Sequence, residues 1–354
     1  MPDTRPGIEF IDGVCAPCIN YEKQAETDWG IRWFELVDLC NKYRGCNGDG
    51  YDCAIAVSGG KDSHFQVYVL KEKLGMNPVL LTVGNADWTE TGRANLDNLS
   101  EAFSCDIISH QPNLSVSRAM MKKTLIELGS PTWYADALIY AFPYRMAMKL
   151  GLKLLVYGEN VNYTYGGKYN EETPSAMMQP LNDVVKPYDC DVKGLHSAKQ
   201  PSLQECTEFG LEPIYLSYYV PWDSDHNYQV AKRYGFKQLS HEYVREGTLE
   251  QYNQIDSIGY LLNQWLKYPK FGHASATEMA SRWIRSGKST REEMIPLVKQ
   301  YDKVLDQGII DSFCSFTGLL PRELTEIIDT WYNADLFEQD SDGVWHEKFE
   351  VGVG

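Results

Sequence analysis

The sequence predicts an α/β fold: a parallel sheet with helices on both faces. Three observations predict it. Short runs rich in Val, Ile and Leu recur between helix-length segments, the first run enters a glycine loop that opens a helix, and the runs stop after about residue 240. Strand, helix, strand in that rhythm implies parallel pairing, because parallel neighbours need a crossover connection.

Residues 1–48 read as loop-rich, with CAPC at 15–18 and a helical patch in WGIRWFELVDLCNKY. NGDG (47–50) breaks the chain and sets a boundary. DCAIAV (52–57) reads as a short buried strand, followed by PVLLTV (78–83), CDIISH (105–110), KLLVYG (153–158) and PIYLSYYV (213–220). After the glycine loop, Val67, Leu70 and Leu74 repeat at helical spacing and Gly75 is a natural stop. Beyond about residue 240 only helices are expected. SATE (275–278) and STRE (289–292) match capping boxes, and LLPREL places Pro321 in the first turn of another helix. The expected divisions are a cysteine-containing region (1–48), a nucleotide domain (49–240) and a helical region for substrate or partner binding (241–354).

Composition narrows the function. Hydrophobic content of 43% and charged content of 23% are ordinary for a globular protein. No apolar run approaches the roughly 18 residues of a membrane span, and MPDTRPGIEF lacks the regions of a secretory signal, so a cytoplasmic enzyme with no membrane partner is expected. A formal net charge of −16 repels polyphosphates, and no basic run exceeds two residues, so nucleic acid is not expected as a partner. Nine cysteines, most of them scattered (Cys40, Cys53, Cys105, Cys190, Cys206, Cys314), suggest reduced thiols rather than a disulfide framework.

The loop SGGKDS (58–63) carries the chemistry. Gly59 and Gly60 let the backbone turn tightly and bring N–H groups near a ligand. The helix start adds partial positive charge, Lys61 adds a full one, and Ser58 and Ser63 offer hydroxyls. A glycine turn with a capping serine shares these residues; the position after the first strand of an α/β sheet favours the anion cradle. The spacing is neither G-x-x-x-x-G-K-[ST] nor G-x-G-x-x-G. A second glycine corner, YGENVNYTYGG (157–167), puts Gly158, Glu159 and Asn160 at the carboxyl end of another strand, facing the same crevice.

S-G-G-K-D-S resembles the pyrophosphate loop (PP-loop) of the ATP-pyrophosphatase superfamily, whose sheet is Rossmann-like, of the HUP-like type. The resemblance implies that ATP is split between its α and β phosphates and that this loop holds the departing pyrophosphate. Ser58, Gly59, Gly60, Lys61, Asp62, Ser63 and Gly158 would then bind ATP, with Lys61, Asp62 and Glu159 as catalytic candidates. Asp62 is either a Mg²⁺ contact or a helix-start carboxylate; Glu159 either holds Mg²⁺ or hydrogen-bonds the reacting group. Adenylation needs a nucleophile. If that is ammonia from glutamine, the chain shows no glutaminase: it begins Met1-Pro2, and RGCNG (44–48) has Arg44 where an elbow glycine belongs.

Over essentially its whole length the chain resembles the N-acetyl sugar amidotransferases of surface-polysaccharide and O-antigen biosynthesis. The resemblance rests on MPDTRPGIEF, YDCAIAVSGGKDSHFQV, PTWYADALIY, LLVYGENVNYTYGG, EPIYLSYYVPW and YPKFGHASATEMASRWIR. It implies conversion of an acetamido group into an acetamidino group, with a HisH-like glutaminase as partner and a nucleotide sugar, UDP-2,3-diacetamido-mannuronic acid, as substrate. CMP-pseudaminic acid is the related alternative. A tRNA sulfur-insertion enzyme on the same fold is the rival; it would need a basic face and a reactive cysteine pair.

Cys15 and Cys18 form a C-x-x-C knuckle, half of a four-thiolate structural zinc site. In the resembling family a further C-x-x-C precedes MPDTRP. The site is thus completed upstream, completed by Cys40 and Cys46, or replaced by two ordinary thiols. Lys270, His273 and Arg282, together with Asn160, are the candidates for the phosphate or carboxylate of a nucleotide sugar.

Overall fold

The computed structural model describes residues 1–167, 171–177 and 195–352; Cys190 lies outside the described residues. A two-residue hairpin, β1 (Phe10–Ile11) and β2 (Val14–Cys15), leads into α1 (Ala16–Gln24) and α2 (Trp29–Tyr43). Five parallel strands follow: β3 (Cys53–Ala56), β4 (Pro78–Val83), β5 (Ile107–His110), β6 (Leu154–Tyr157) and β7 (Glu212–Tyr215). Their order in the sheet is β5-β4-β3-β6-β7.

The helices between the strands are α3 (Lys61–Val67), α4 (Glu90–Phe103), α5 (Leu114–Leu128), α6 (Trp133–Lys149), α7 (Val161–Tyr165) and α8 (Leu203–Phe209). After the sheet come α9 (Ser224–Arg233), α10 (Ile258–Trp265), α11 (Lys267–Phe271), α12 (Ser275–Arg285), α13 (Arg291–Tyr301), α14 (Gln307–Thr317) and α15 (Pro321–Asp329).

Central strands carry apolar residues on both faces because both faces are covered. Alternation then sorts them. Cys53, Ile55 and Leu80 pack with Leu36, Val67, Leu70 and Leu99 on one side; Ala54, Val79, Leu81 and Leu155 pack with Leu138, Tyr144 and Ala147 on the other. A third core joins α5 and α9 to the carboxyl-terminal helices through Leu125, Tyr228, Ile255, Leu262, Phe313 and Leu324.

Four expectations need correction. β7 stops at Tyr215, and Leu216–Tyr218 form a tight helical turn instead of extending the strand. Strand structure does recur after residue 240, as the hairpin β8 (Phe337–Gln339) and β9 (Trp345–Glu347). At SATE there is no capping box: Ala274 precedes α12, the Ser275 hydroxyl donates to Gly247 O, and Glu278 pairs with Arg5 and Lys267. At STRE the box forms one residue later, between Thr290 and Glu293.

The glycine loop sits hard against α4. Gly59 has φ +93°, and a Cβ there would lie 2.9 Å from both N and Cα of Leu96. Gly59→Ala combines backbone strain with a backbone clash, so thermal or urea unfolding should show a loss of about 2–4 kcal/mol. A wild-type midpoint would mean that the loop does not hold this conformation in solution.

Candidate functional site

The sheet order places the site. β3 sends the chain toward β4 on one side, while β6 lies on the other, so the β3–β6 boundary is a topological switch point where a crevice opens at the carboxyl ends of the strands. SGGKDS follows β3, and Gly158–Glu159 follow β6.

Within the loop, Ser58 N donates to Ser63 Oγ at 2.9 Å and Gly60 N to Ser58 Oγ at 3.3 Å. Among the described residues no side chain caps α3, which leaves its first-turn amides without an intrahelical partner. His64 is part of the scaffold. It is fully buried, and burial lowers its pKa to about 4, so the ring is neutral. Its Nδ1 lies 3.0 Å from Gly60 O and its Nε2 3.2 Å from Asn98 Nδ2, which assigns the proton to Nδ1. The imidazole thereby ties the loop to α4.

Lys61 is 5% exposed, and its Nζ lies 2.5 Å from Asp62 Oδ2. Asp62 Oδ1 accepts from Asn227 Nδ2 of α9 at 2.8 Å. Burial and then the neighbouring Asp62 charge raise Glu159 to about 7, against the opposing pull of Lys61 and Arg282. Arg282 reaches in from α12, bonded to Glu250 Oε2 at 2.9 Å and Ser224 Oγ at 3.0 Å. Lys61, Asp62, Glu159, Tyr165, Asp223 and Arg282 all line a cavity of about 70 Å³. Near it the Asn227 side-chain oxygen Oδ1, Arg282 Nε and one Arg285 nitrogen are buried without a partner among the described residues. Arg282 and Arg285 both line the cavity, and buried donors there suit a ligand with acceptor oxygens.

Sequence reasoning did not find Asp256. It comes from the loop before α10, hydrogen-bonds Ser58, and is raised to about 6, chiefly by burial. Its backbone oxygen accepts from Thr89 N at 3.1 Å, which ties this distant segment to the start of α4. No spacing in the chain signals it.

The other nominated residues separate. Asn160 caps α7, accepting from Tyr163 N at 3.3 Å and donating to Glu171 O at 3.1 Å. At Gly158 a Cβ would meet Gln66 Nε2 at 3.0 Å and the Trp222 ring at 3.1 Å, so the strand end packs closely against both side chains. Lys270 lines a second cavity, not the first. His273 is 1% exposed and lines neither; its Nδ1 sits 3.2 Å from Phe271 O, and burial lowers it to about 4.

Asp62 and Glu159 suit a hard cation, since two carboxylates leave coordination positions for water and phosphate oxygens. The described residues do not complete the zinc knuckle. Cys15 and Cys18 lie 3.3 Å apart, but no cluster of three or more His, Cys, Asp or Glu able to hold a metal occurs among the described residues. Cys40 is buried in the first core, and exposed Cys46 bonds Lys42 O, so neither completes the pair.

Residues 246–350 match the family described as LPS biosynthesis protein WbpG-like, C-terminal domain, a similarity in line with the family resemblance of the sequence. A stretch of 117 residues is 29% identical to the uncharacterised protein MJ1599 of Methanocaldococcus jannaschii, covering 33% of this chain and 41% of that protein. The chain therefore spans about two fifths of that relative's length. Among solved structures, it is similar to a predicted subunit of tRNA methyltransferase from the same organism (14% identity, TM-score 0.29, 51% of this chain and 74% of that one). It is also similar to NMN synthetase from Francisella tularensis (11% identity, TM-score 0.37, 82% and 94%).

Glu159 should leave a mark on stability. Its folded-state pKa lies above the ordinary 4.5, so the stabilisation is full below about 4.5 and is lost as pH rises through about 7. Urea midpoints of wild type and Glu159→Gln, measured from pH 4 to 8, should show the variant flatter across that window. Parallel curves would mean that this carboxylate is ionised throughout.

Proposed function

We propose that the protein is an ATP-dependent amidotransferase of surface-polysaccharide biosynthesis that converts an acetamido group of a nucleotide sugar, UDP-2,3-diacetamido-mannuronic acid, into an acetamidino group. One observation carries the reading: an uncapped helix start with a buried lysine at the switch point, facing two carboxylates one of which titrates near neutrality. The WbpG-like match supports the pathway.

The chemistry balances with these residues. The acetamido oxygen attacks the α-phosphorus of ATP; the new O–P bond forms as the bond to the pyrophosphate oxygen breaks. Lys61 Nζ and the free amides of the loop offset the charge that develops on pyrophosphate. Asp62 and Glu159 would hold Mg²⁺, which when bound neutralises phosphate oxygens. Ammonia then adds to the imidate carbon, and AMP departs with the former amide oxygen. The proton that the incoming nitrogen must shed passes to water as AMP leaves. The ammonia is supplied by a separate HisH-like glutaminase.

The test is a product assay with Mg-ATP, ammonium and diacetamido nucleotide sugars, resolved by mass. AMP, pyrophosphate and a sugar about one mass unit lighter (NH in place of O) are expected, and Lys61→Ala should lower the rate about 10²–10³-fold. Glutamine should replace ammonium only when the glutaminase is added. ADP with phosphate, or turnover on glutamine alone, would sink the reading.

A further inference from the structure

The larger cavity lies on the other side of α7. Tyr163, Thr164 and Tyr165 face the first cavity, whereas Val161, Asn162 and Gly166 line the second, which holds about 380 Å³. Its wall is cationic. Arg5, Lys267 and Lys270 line it, and no Asp or Glu among the described residues does.

Behind the wall, Glu278 holds two of these cations in place, bonding Arg5 Nη1 at 2.7 Å and Lys267 Nζ at 2.8 Å. Burial would raise Glu278, yet the Lys267 and Arg5 charges keep it down at about 2, so this clamp stays ionised. Lys270 Nζ is steadied by Gly129 O at 2.7 Å. A concentration of positive charge on a half-enclosed surface, in a chain of net charge −16, selects an anion.

The remaining lining describes the body of the ligand. Ser130 is 6% exposed and its hydroxyl has no partner among the described residues, although it borders the cavity. Asn162, Asn263 and Asn333 bring amides that both donate and accept, the complement of ring hydroxyls. Trp331 supplies a flat apolar face, fixed by its indole N–H to Leu125 O at 3.0 Å. We infer that this second cavity binds a sugar ring bearing an anionic group, a carboxylate or a phosphate. That the ligand is the acceptor itself, reaching past α7 to Glu159, rests on the amidotransferase reading; the binding does not.

Calorimetric titration of the full chain without ATP tests it, using glucuronate, glucose 6-phosphate, glucose and inorganic phosphate as probes. At least one anionic sugar should bind about tenfold or more tightly than glucose, and Lys270→Gln should erase most of that difference. Preference for glucuronate assigns a carboxylate ligand, and preference for glucose 6-phosphate a phosphate. Equal binding of glucose and the anionic sugars, phosphate as tight as glucose 6-phosphate, or no binding of either anionic sugar overturns the inference. So does undiminished sugar binding to a folded Ser130→Phe variant, whose ring would intrude on the cavity beside Trp331. Because no ATP is present, failure of the loop chemistry leaves these results unchanged.

Discussion

The reversal of strand order between β3 and β6 is the constraint on which the site depends. Two parallel neighbours whose connections leave in opposite directions cannot both cover the crevice between their carboxyl ends. Backbone donors at that point are left for a ligand, and the chain spends its glycines there. Gly59 lets the loop lie on α4, Gly158 lets β6 end beneath Trp222, and buried His64 pins the turn from behind. The apolar faces of the sheet fix this arrangement to within ångströms, which a surface loop alone would not do.

Charge is then added from elsewhere in the chain. Asp62 and Glu159 crowd one another, and Arg282 and Asp256 arrive from beyond residue 250. A cluster with both signs and several unpaired buried atoms is poorly compensated by protein alone. Such a site is held together by the cores around it: the core joining α5 and α9 to α10, α14 and α15 anchors the segment that carries Asp256.

The parts legible in the sequence are those whose signal is local. PVLLTV matches β4 residue for residue because a strand buried on both faces is a continuous apolar run. The SGGKDS loop is legible because its residue types and its place after a strand reinforce each other. PIYLSYYV overran β7 because tyrosine suits both a strand and the turn that replaces it. The β8–β9 hairpin escaped because three-residue strands around DSDG show too little alternation to detect. Asp256 and the grouping of Arg5 with Lys267 and Lys270 are products of tertiary packing, and nothing along the chain marks them. His273, beside Lys270 in sequence, turns into the core instead.

The long separation of the two halves of the site has a temporal side. Lys61 leaves the ribosome some 220 residues ahead of Arg282, which at roughly 5–20 residues per second is a delay of about 10–45 s. During that interval the glycine loop is present while Asp256, Arg282 and the cationic wall of Lys267 and Lys270 are not. A nascent chain therefore carries the glycine loop and Lys61 before it carries the residues that complete the cavity beside them.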